Sequence, residues 1–256
     1  MEDLRVKNIS TNLQACDLQN TFISFLDSDD FLHPMAFQNF MKTYKQTKSD
    51  IIRGSEIFIN RYGEPINKYQ TKAPKFSTMT ICDFLAQTKM KYFVFNATNC
   101  LVKAEIFKQV RYPEGIINED MSFGFDLLLH SHRISFCNFI TYYHRIRSGS
   151  ISHPSTFLNQ HSALLLEKTF IFQINYLLSL LQQNRQAPYA PLIQNTLKVA
   201  ATSLIINILY KDPQSKKRLK PFLIHTGIKA KLCYLFPKSY RFLRKIKYRL
   251  YHKVKC

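Results

Sequence analysis

The most constraining feature of this chain is a short apolar run that ends in a group of acids. Residues Thr21 to Leu26 are apolar and β-prone, and Asp27-Ser-Asp-Asp30 follows them directly. Such a run predicts a buried parallel strand whose carboxyl end opens into a loop, which is where ligands bind in open α/β sheets. The chain is therefore predicted to be an α/β protein with a ligand site at Asp27 to Asp30.

The chemistry of this cluster favours a divalent metal. Three carboxylates in four residues repel one another unless a cation or backbone donors neutralise them. Mg²⁺ or Mn²⁺ would neutralise them, since Mg²⁺ commonly binds one or two carboxylates together with substrate phosphates. The alternative is that Asp27 to Asp30 only forms a turn and caps the next helix. The cluster alone leaves both interpretations open.

The elements that follow are those of an α/β domain with a helical C-terminal part. A helix begins at His33-Pro34 and a strand covers Ile51 to Ile59, so that these elements and the first strand form one βαβ unit. Further along the chain, the apolar spacing predicts helices at 80–88, 103–109 and from Asn118, strands at 93–101 and 134–143, and long helices at 156–183 and 191–210.

The glycine content excludes some kinds of phosphate-binding site, and the charge distribution indicates a basic tail. With only 6 glycines the chain has neither a GxxxxGK[ST] nor a GxGxxG loop. The net charge of +19 is concentrated in the tail, where Lys211 to Cys256 carries 15 Lys and Arg and one acid. Residues Pro237 to Lys255 alternate these cations with apolar side chains at helical spacing, which predicts a basic amphipathic helix.

The cysteines and the N-terminus indicate a cytoplasmic location. The 6 cysteines are scattered and form no CxxC pair, as expected for thiols in a reducing compartment. The N-terminus lacks the apolar segment of a signal peptide. The longest apolar run, Thr169 to Leu181, is interrupted by Gln173 and Asn175 and falls short of the ~20 residues that a spanning helix needs.

Other charged residues downstream could contribute to the same site. Glu119 and Asp120 open a helix, where a carboxylate could act as a general base or could simply complement the helix dipole. Arg145 and Arg147 lie on a loop after a strand, and their guanidinium groups suit phosphate oxygens. His144 is a possible additional metal ligand, although a single His beside two Tyr is more often a packed residue.

Together these segments resemble the family 2 glycosyltransferases of the GT-A fold, which build bacterial capsule and lipopolysaccharide glycans. The segment from Phe22 to Pro34 (FISFLDSDDFLHP) is similar to the family's strand and DxD motif. The segment from Tyr112 to Phe123 (YPEGIINEDMSF) is similar to its acceptor-side ED motif, and Tyr142 to Ser152 (YYHRIRSGSIS) is similar to the strand that follows.

The resemblance implies a partial GT-A fold, Rossmann-like with a mostly parallel sheet, followed by C-terminal helices. It implies metal-dependent transfer of a sugar from a nucleotide-sugar to a glycan or lipid-linked acceptor with inversion at the anomeric carbon. Asp29 would coordinate Mn²⁺ or Mg²⁺ with Asp27, Asp27 and Asp30 would also bind the donor, and Asp120 would be the general base, supported by Glu119.

The resemblance also predicts a domain arrangement. Residues 1–154 correspond to the C-terminal part of a GT-A domain, 155–210 to a helical region and 211–256 to a basic tail that binds the anionic inner face of the cell membrane. The family's first strand, of the type VSVIIP, and its second strand, which together hold the nucleotide, have no counterpart, and Cys100 stands where the family often has Lys.

Two alternatives follow from these departures and from the charge. The first is an inactive, truncated remnant that keeps the DxD strand but cannot hold a nucleotide. The second is a nucleic-acid-binding protein, suggested by a pI of about 9.7 and by aromatic residues among the tail cations. No nucleic-acid-binding module is recognisable, so no nucleic acid partner is expected.

Overall fold

The computed structural model describes residues 20–66, 77–89, 93–146 and 160–240. The chain divides into two compact units, one of Met1–Thr88 with Val94–Thr156 and one of Lys89–Phe93 with Phe157–Cys256. Arg147 and most of the basic helix expected at 237–255 lie outside the described residues.

The first unit is built on a mixed sheet. Its strands are β1 (Phe22–Ile23), β2 (Phe31–Leu32), β3 (Ile51–Ile59), β4 (Thr78–Thr80), β5 (Cys100–Lys103) and β6 (Arg133–Arg145). They lie in the order β1-β5-β3-β6-β2, with β4 also paired to β6. The two long strands, β3 and β6, therefore lie side by side in the middle of the sheet.

The pairing of β3 with β6 is parallel and contains a bulge at Ser55. Beside the bulge, a Cβ atom on Gly54 would lie 1.7 Å from Oγ1 of Thr141, so that only glycine fits at this position. The bulge separates the buried first half of β3, at Ile51 and Ile52, from the second half, which runs towards the acidic loop.

The α/β class with C-terminal helices is confirmed, but the expected mostly parallel sheet is wrong in detail. Among the described strands, only β3 and β6 pair in parallel, and the other pairings are antiparallel. The expected βαβ unit does join two strands of the same direction, because β1 and β3 are each antiparallel to β5. However, β5 lies between them, and β1 has only 2 residues where a strand of six was expected.

The first unit contains three α-helices among its described residues. Helix α1 (Ala36–Thr47) buries Ala36 and Phe40 and ends at Lys48 in the left-handed conformation. Helix α2 (Ile81–Gln87) is capped by Thr80, whose hydroxyl accepts the N–H of Asp83. Helix α3 (Asp120–Leu129) is buried along most of its length.

One predicted strand, at 93–101, is wrong. Residues 93–99 are irregular, the strand is Cys100–Lys103, and the next segment, Ala104–Lys108, is a 3₁₀ helix. Side-chain amides replace the ladder here: Asn96 Oδ1 accepts the N–H of Thr98, and Asn99 Nδ2 donates to the carbonyl of Gly54. These side-chain bonds, one local and one to a residue distant in the sequence, hold the segment in a turn instead of a strand.

The second unit is helical. Its long helices, α4 (Gln160–Gln183) and α5 (Ala190–Lys211), pack against each other. They are followed by a 3₁₀ turn (Pro213–Ser215), α6 (Lys216–Leu219), a 3₁₀ segment (Lys220–His225) and α7 (Ile228–Leu235). The predicted helices at 156–183 and 191–210 agree with α4 and α5 over the described residues.

Contrary to the expectation from the sequence, two helices are long and apolar enough to cross a membrane. These are Leu164–Gln183 and Ala190–Tyr210, of which 33% and 61% are buried inside the protein. Length and composition alone do not separate such helices from core helices. Thr169, Gln173 and Thr196 are fully buried within them.

Candidate active site

The acidic loop turns tightly between β1 and β2. The N–H of Asp30 donates to the carbonyl of Asp27 over 3.1 Å. The backbone N–H of Asp27 donates to the hydroxyl of Tyr142 on β6 over 3.3 Å. Within the turn Asp27 is exposed, Asp29 is half-buried and Asp30 is buried. The three acids thus occupy three different environments.

The carboxylate of Asp30 is held by three donors from β6. Its Oδ2 accepts the hydroxyl of Tyr142 at 2.7 Å and lies 3.2 Å from Nδ1 of His144, and its Oδ1 accepts the backbone N–H of Arg145 at 2.8 Å. The side chain of Asp30 is only 1% exposed. Asp30 therefore ties the acidic loop to the end of the central strand.

The Asp30 and His144 side chains are hydrogen-bonded, and each shifts the pKa of the other. Burial by itself would raise the pKa of Asp30, but the hydrogen bonds from His144, the Arg145 N–H and Tyr142 outweigh it, so this pKa lies below its usual value. The bond to Asp30 raises the pKa of His144 against the opposing effect of burial. The ring of His144 also packs against Phe58, with centroids 4.9 Å apart.

The Glu119-Asp120 pair lies at the start of α3, as expected. Burial, together with the negative charges of Glu119 and Asp27, raises the pKa of Asp120 to about 6, while the positive charge of Arg53 opposes this rise. Asp27 and Asp120, far apart in the sequence, therefore share one electrostatic environment. A carboxyl group with a pKa near neutrality is suited to act as a general base.

A cluster of aromatic rings holds the acidic loop and α3 together. Tyr112 stacks on Phe123 of α3 at 3.6 Å between centroids, and Phe25, two residues before Asp27, makes an edge contact with Tyr112 at 5.5 Å. Burial and the charges of Asp120, Glu119 and Asp27 raise the pKa of the Tyr112 phenol, which stays protonated. This cluster fixes the positions of both acidic segments.

Arg53 is a functional candidate that the sequence interpretation missed. It lies on β3, directly opposite Cys100 of β5. Its Nη1 donates to the carbonyl of Asn96 over 2.9 Å and lies 3.9 Å from Sγ of Cys100, and its guanidinium lies 4.7 Å from the centre of the Phe95 ring. The available signal was an arginine in an otherwise apolar start of a strand.

Cys100 is unsuited to nucleophilic chemistry. It is fully buried, and burial raises its pKa to about 11 in spite of the nearby Arg53 charge. The thiol is therefore protonated at neutral pH.

Arg145 takes part in the site through its backbone and its side chain. Its N–H binds Asp30, and its guanidinium lies 4.8 Å from the centre of the Phe31 ring. Its Nε is buried and has no hydrogen-bond partner among the described residues. A buried donor without a partner is costly, which favours an anionic ligand at this point. Arg147 lies outside the described residues.

The donor set fits a metal ion that a ligand helps to hold. Among the described residues, no three His, Cys, Asp or Glu side chains come together closely enough to hold a metal. Asp27 and Asp29 would be the one or two carboxylates that Mg²⁺ takes when phosphate oxygens complete its shell. His144 points Nδ1 at a carboxylate, which is the orientation of a histidine that ligates a metal through Nε2.

Solved structures with the same fold support this arrangement of elements. The crystal structure of Staphylococcus aureus TarS 1-349 matches with a TM-score of 0.57 and 14% identity, over 92% of this chain and 70% of that chain. The same protein in complex with UDP-GlcNAc matches with a TM-score of 0.54 and 17% identity, over 90% and 70% of the two chains. At these identities the likeness shows a shared fold.

Sequence comparison points to the same group of proteins. The chain is 26% identical over 215 residues to the glycosyltransferase GlyA of Streptococcus pneumoniae serotype 4 (strain ATCC BAA-334 / TIGR4). This match covers 79% of the chain and only 30% of the length of GlyA. The profile of the family described as glycosyl transferase family group 2 matches residues 22–230, from β1 to the first residues of α7. The resemblance inferred from the motifs is thus confirmed, and the chain belongs to glycosyl transferase family group 2.

Proposed function

We propose that this chain transfers a sugar from a nucleoside-diphosphate sugar to a hydroxyl of a glycan or lipid-linked acceptor, with inversion at the anomeric carbon. The observation that carries the proposal is the shared environment of Asp27 and Asp120. Asp120 has a pKa of about 6, raised in part by the negative charge of Asp27. The proposed base and the proposed donor-binding loop are therefore close enough to interact electrostatically.

In this proposal Asp120 removes the proton from the acceptor hydroxyl. The hydroxyl oxygen then attacks the anomeric carbon from the side opposite the diphosphate, the bond to the diphosphate breaks, and no covalent intermediate is formed. Glu119 keeps the pKa of Asp120 high, and Arg53 limits the rise. The proton therefore moves to a base that is ionised at neutral pH but still basic enough to accept it.

The donor diphosphate would lie against the acidic loop and the end of β6. Asp27 and Asp29 would hold Mn²⁺ or Mg²⁺, which when bound would neutralise the departing diphosphate. Arg145 would bind a phosphate oxygen, since its buried Nε lacks a partner among the described residues. Asp30 and His144 would hold the loop in place, with His144 as a further candidate ligand.

The donor and the location are parts of the same proposal. One solved structure of TarS is a complex with UDP-GlcNAc and another is a complex with UDP, so UDP-GlcNAc is the first donor to test. A cytoplasmic location on the inner face of the membrane, with an anionic surface as partner, follows from the basic C-terminal part and from a lipid-linked acceptor.

The metal and nucleotide assignment is tested by thermal unfolding of the full chain with MnCl₂ and UDP. At a UDP concentration of 100 Kd, binding stabilises by about 2.7 kcal/mol, which at 2–4 °C per kcal/mol raises the midpoint by roughly 5–10 °C. We expect this rise in the wild type and in the control Glu105→Ala, which removes another exposed acid of the same unit. We expect it to be lost in Asp29→Ala.

Two results would contradict the proposal. Equal shifts in the wild type and Asp29→Ala would remove the metal assignment. Absence of any shift in the wild type, with no UDP released from UDP-GlcNAc, would favour the inactive alternative.

A further inference from the structure

Helix α7 presents an apolar face to solvent. Ile228, Leu232 and Leu235 are 77%, 51% and 57% exposed, and the next residue, Phe236, is 60% exposed. The spacing of the first three, i, i+4 and i+7, places them on one side of the helix. On the other side Ala230 and Cys233 are buried, where α7 packs against α5. The helix is therefore anchored by one face while an equally apolar face lies open.

A further exposed apolar side chain lies in the preceding 3₁₀ segment. Ile224 is 79% exposed, and together with Ile228 it has the highest exposure of any large hydrophobic side chain among the described residues. Single exposed apolar residues are common on protein surfaces, but several on one face of a helix mark an interaction surface. We call the group of Ile224, Ile228, Leu232, Leu235 and Phe236 the apolar patch.

Cations surround the apolar patch. At ~100° per residue, Lys229 and Lys231 lie on the two flanks of the exposed side of α7, and both are exposed. Residues 213–240 contain seven Lys and Arg and no Asp or Glu. An apolar stripe bordered by lysines is typical of helices that lie in the plane of a membrane interface, where the lysine ammonium groups reach the headgroups and their methylene stems cover apolar surface.

We propose that the apolar patch inserts into the interfacial region of an anionic bilayer, with Lys229 and Lys231 against the lipid phosphates. The excess of positive charge selects this partner, because a second copy of the same face would bring two groups of lysines together. An anionic bilayer combines negative charge with an apolar layer just below it. The inference deepens the proposed membrane partner by placing the contact on α7, within the described residues.

The first experiment uses a local reporter. The chain has no tryptophan, so Leu232→Trp in the full chain gives a single indole on the patch. Vesicles of phosphatidylglycerol and phosphatidylcholine in equal parts are expected to shift its emission to shorter wavelength, and vesicles of phosphatidylcholine alone to shift it much less. The matched control is Leu164→Trp on α4, a leucine that is 65% exposed. Emission that does not move at Leu232→Trp, or moves equally at both positions, would overturn the proposal.

The second experiment measures affinity. The triple variant Ile228→Ser/Leu232→Ser/Leu235→Ser is expected to need about tenfold more lipid for half-maximal co-sedimentation, because three apolar side chains no longer enter the interface. These positions are exposed, so the fold is expected to be kept, and far-UV circular dichroism checks it. The UDP-dependent rise in midpoint should be unchanged, which separates this proposal from the catalytic one.

Two outcomes would refute docking through the patch. One is undiminished binding of the triple variant, which would place the membrane contact elsewhere, including the segment after residue 240. The other is a wild type that is dimeric in sedimentation velocity and a triple variant that is monomeric, because the patch would then join two copies of the chain.

Discussion

The most informative perturbation is Asp120→Asn, because it has opposite effects on stability and on catalysis. Burial, Glu119 and Asp27 raise the pKa of Asp120 from 3.8 to about 6. An acid with a raised pKa in the folded state disfavours folding once it is ionised. The site therefore carries a cost in stability that the uncharged amide should remove.

The magnitude follows from the size of this shift. A rise of about two units at 1.36 kcal/mol per unit corresponds to about 3 kcal/mol at most. Asp120 loses its proton near pH 4 in the unfolded state and near pH 6 in the folded state. The free energy of unfolding of the wild type should therefore decrease as the pH rises from about 4 to about 6. Asp120→Asn should thus be more stable than the wild type above pH 6 by up to about 3 kcal/mol, and the difference should vanish below pH 4.

Urea unfolding followed by circular dichroism at pH 4 and pH 7.5 measures this difference. The matched control is Glu105→Gln, an exposed acid, for which little change is expected at either pH. If Asp120→Asn is no more stable than the wild type at pH 7.5, the buried and repelled state of this carboxyl group is refuted.

The catalytic rate of Asp120→Asn should decrease although its stability increases. Loss of a general base costs typically 10²–10⁴ in rate, so release of UDP from UDP-GlcNAc should fall by about that factor in Asp120→Asn. In the wild type, kcat/KM should be half-maximal near pH 6, the pKa of Asp120, which is the proposed base. Retention of the wild-type rate in Asp120→Asn would show that another group accepts the proton.

Two neighbours of Asp120 should shift this midpoint in opposite directions. Glu119→Gln removes a negative charge and should lower the pKa of Asp120, whereas Arg53→Gln removes a positive charge and should raise it. The ¹³C NMR titration of the Asp120 carboxyl group gives the same information without turnover. Shifts in the same direction in both variants would contradict the electrostatic account.

Three further predictions concern the framework of the site. Asp30→Ala should cost about 3–5 kcal/mol in urea unfolding, because it removes the buried partner of three donors, and a cost below 1 kcal/mol would contradict their importance. Burial would raise the pKa of Asp50, but Lys103 and two backbone N–H groups lower it. Asp50 therefore stabilises the fold above pH ~4, and this stability is lost as the pH falls. Asp50→Asn should accordingly have a lower urea midpoint than the wild type, and the difference should shrink below pH ~4. Gly124→Ala should destabilise by about 1–3 kcal/mol, since its Cβ would lie 2.6 Å from the carbonyl oxygen of Phe95, and an unchanged midpoint would show that α3 can move away.

The long elements were predictable because their hydrophobic period is local information. The strand at Ile51–Ile59 and the helices α1, α4 and α5 agree with the spacing of apolar residues in the sequence. The segment 93–99 was not predictable in this way. Its apolar residues fit a strand, but the amides of Asn96 and Asn99 hold a turn against Gly54, which is distant in the sequence. Side-chain hydrogen bonds of this kind do not produce a periodic pattern of apolar residues in the sequence.

The same distinction applies to the site. The acidic loop and the Glu119-Asp120 pair were recognisable because each lies at an end of an element, where the sequence signal is strong. Arg53 was missed because its role depends on the register that places β3 against β5. The contact of Asp30 with His144 depends in turn on the antiparallel pairing of β2 with β6.

The three acids of the loop differ in how their negative charge is neutralised. Three adjacent carboxylates were expected to need a cation or backbone donors. For Asp30 the protein supplies these itself, through His144, Tyr142 and the Arg145 N–H. Asp27 and Asp29 remain at the more open side of the turn. Because two carboxylates and a diphosphate match the usual shell of Mg²⁺, Asp27 and Asp29 are the acids of the loop that we propose as ligands of one metal ion.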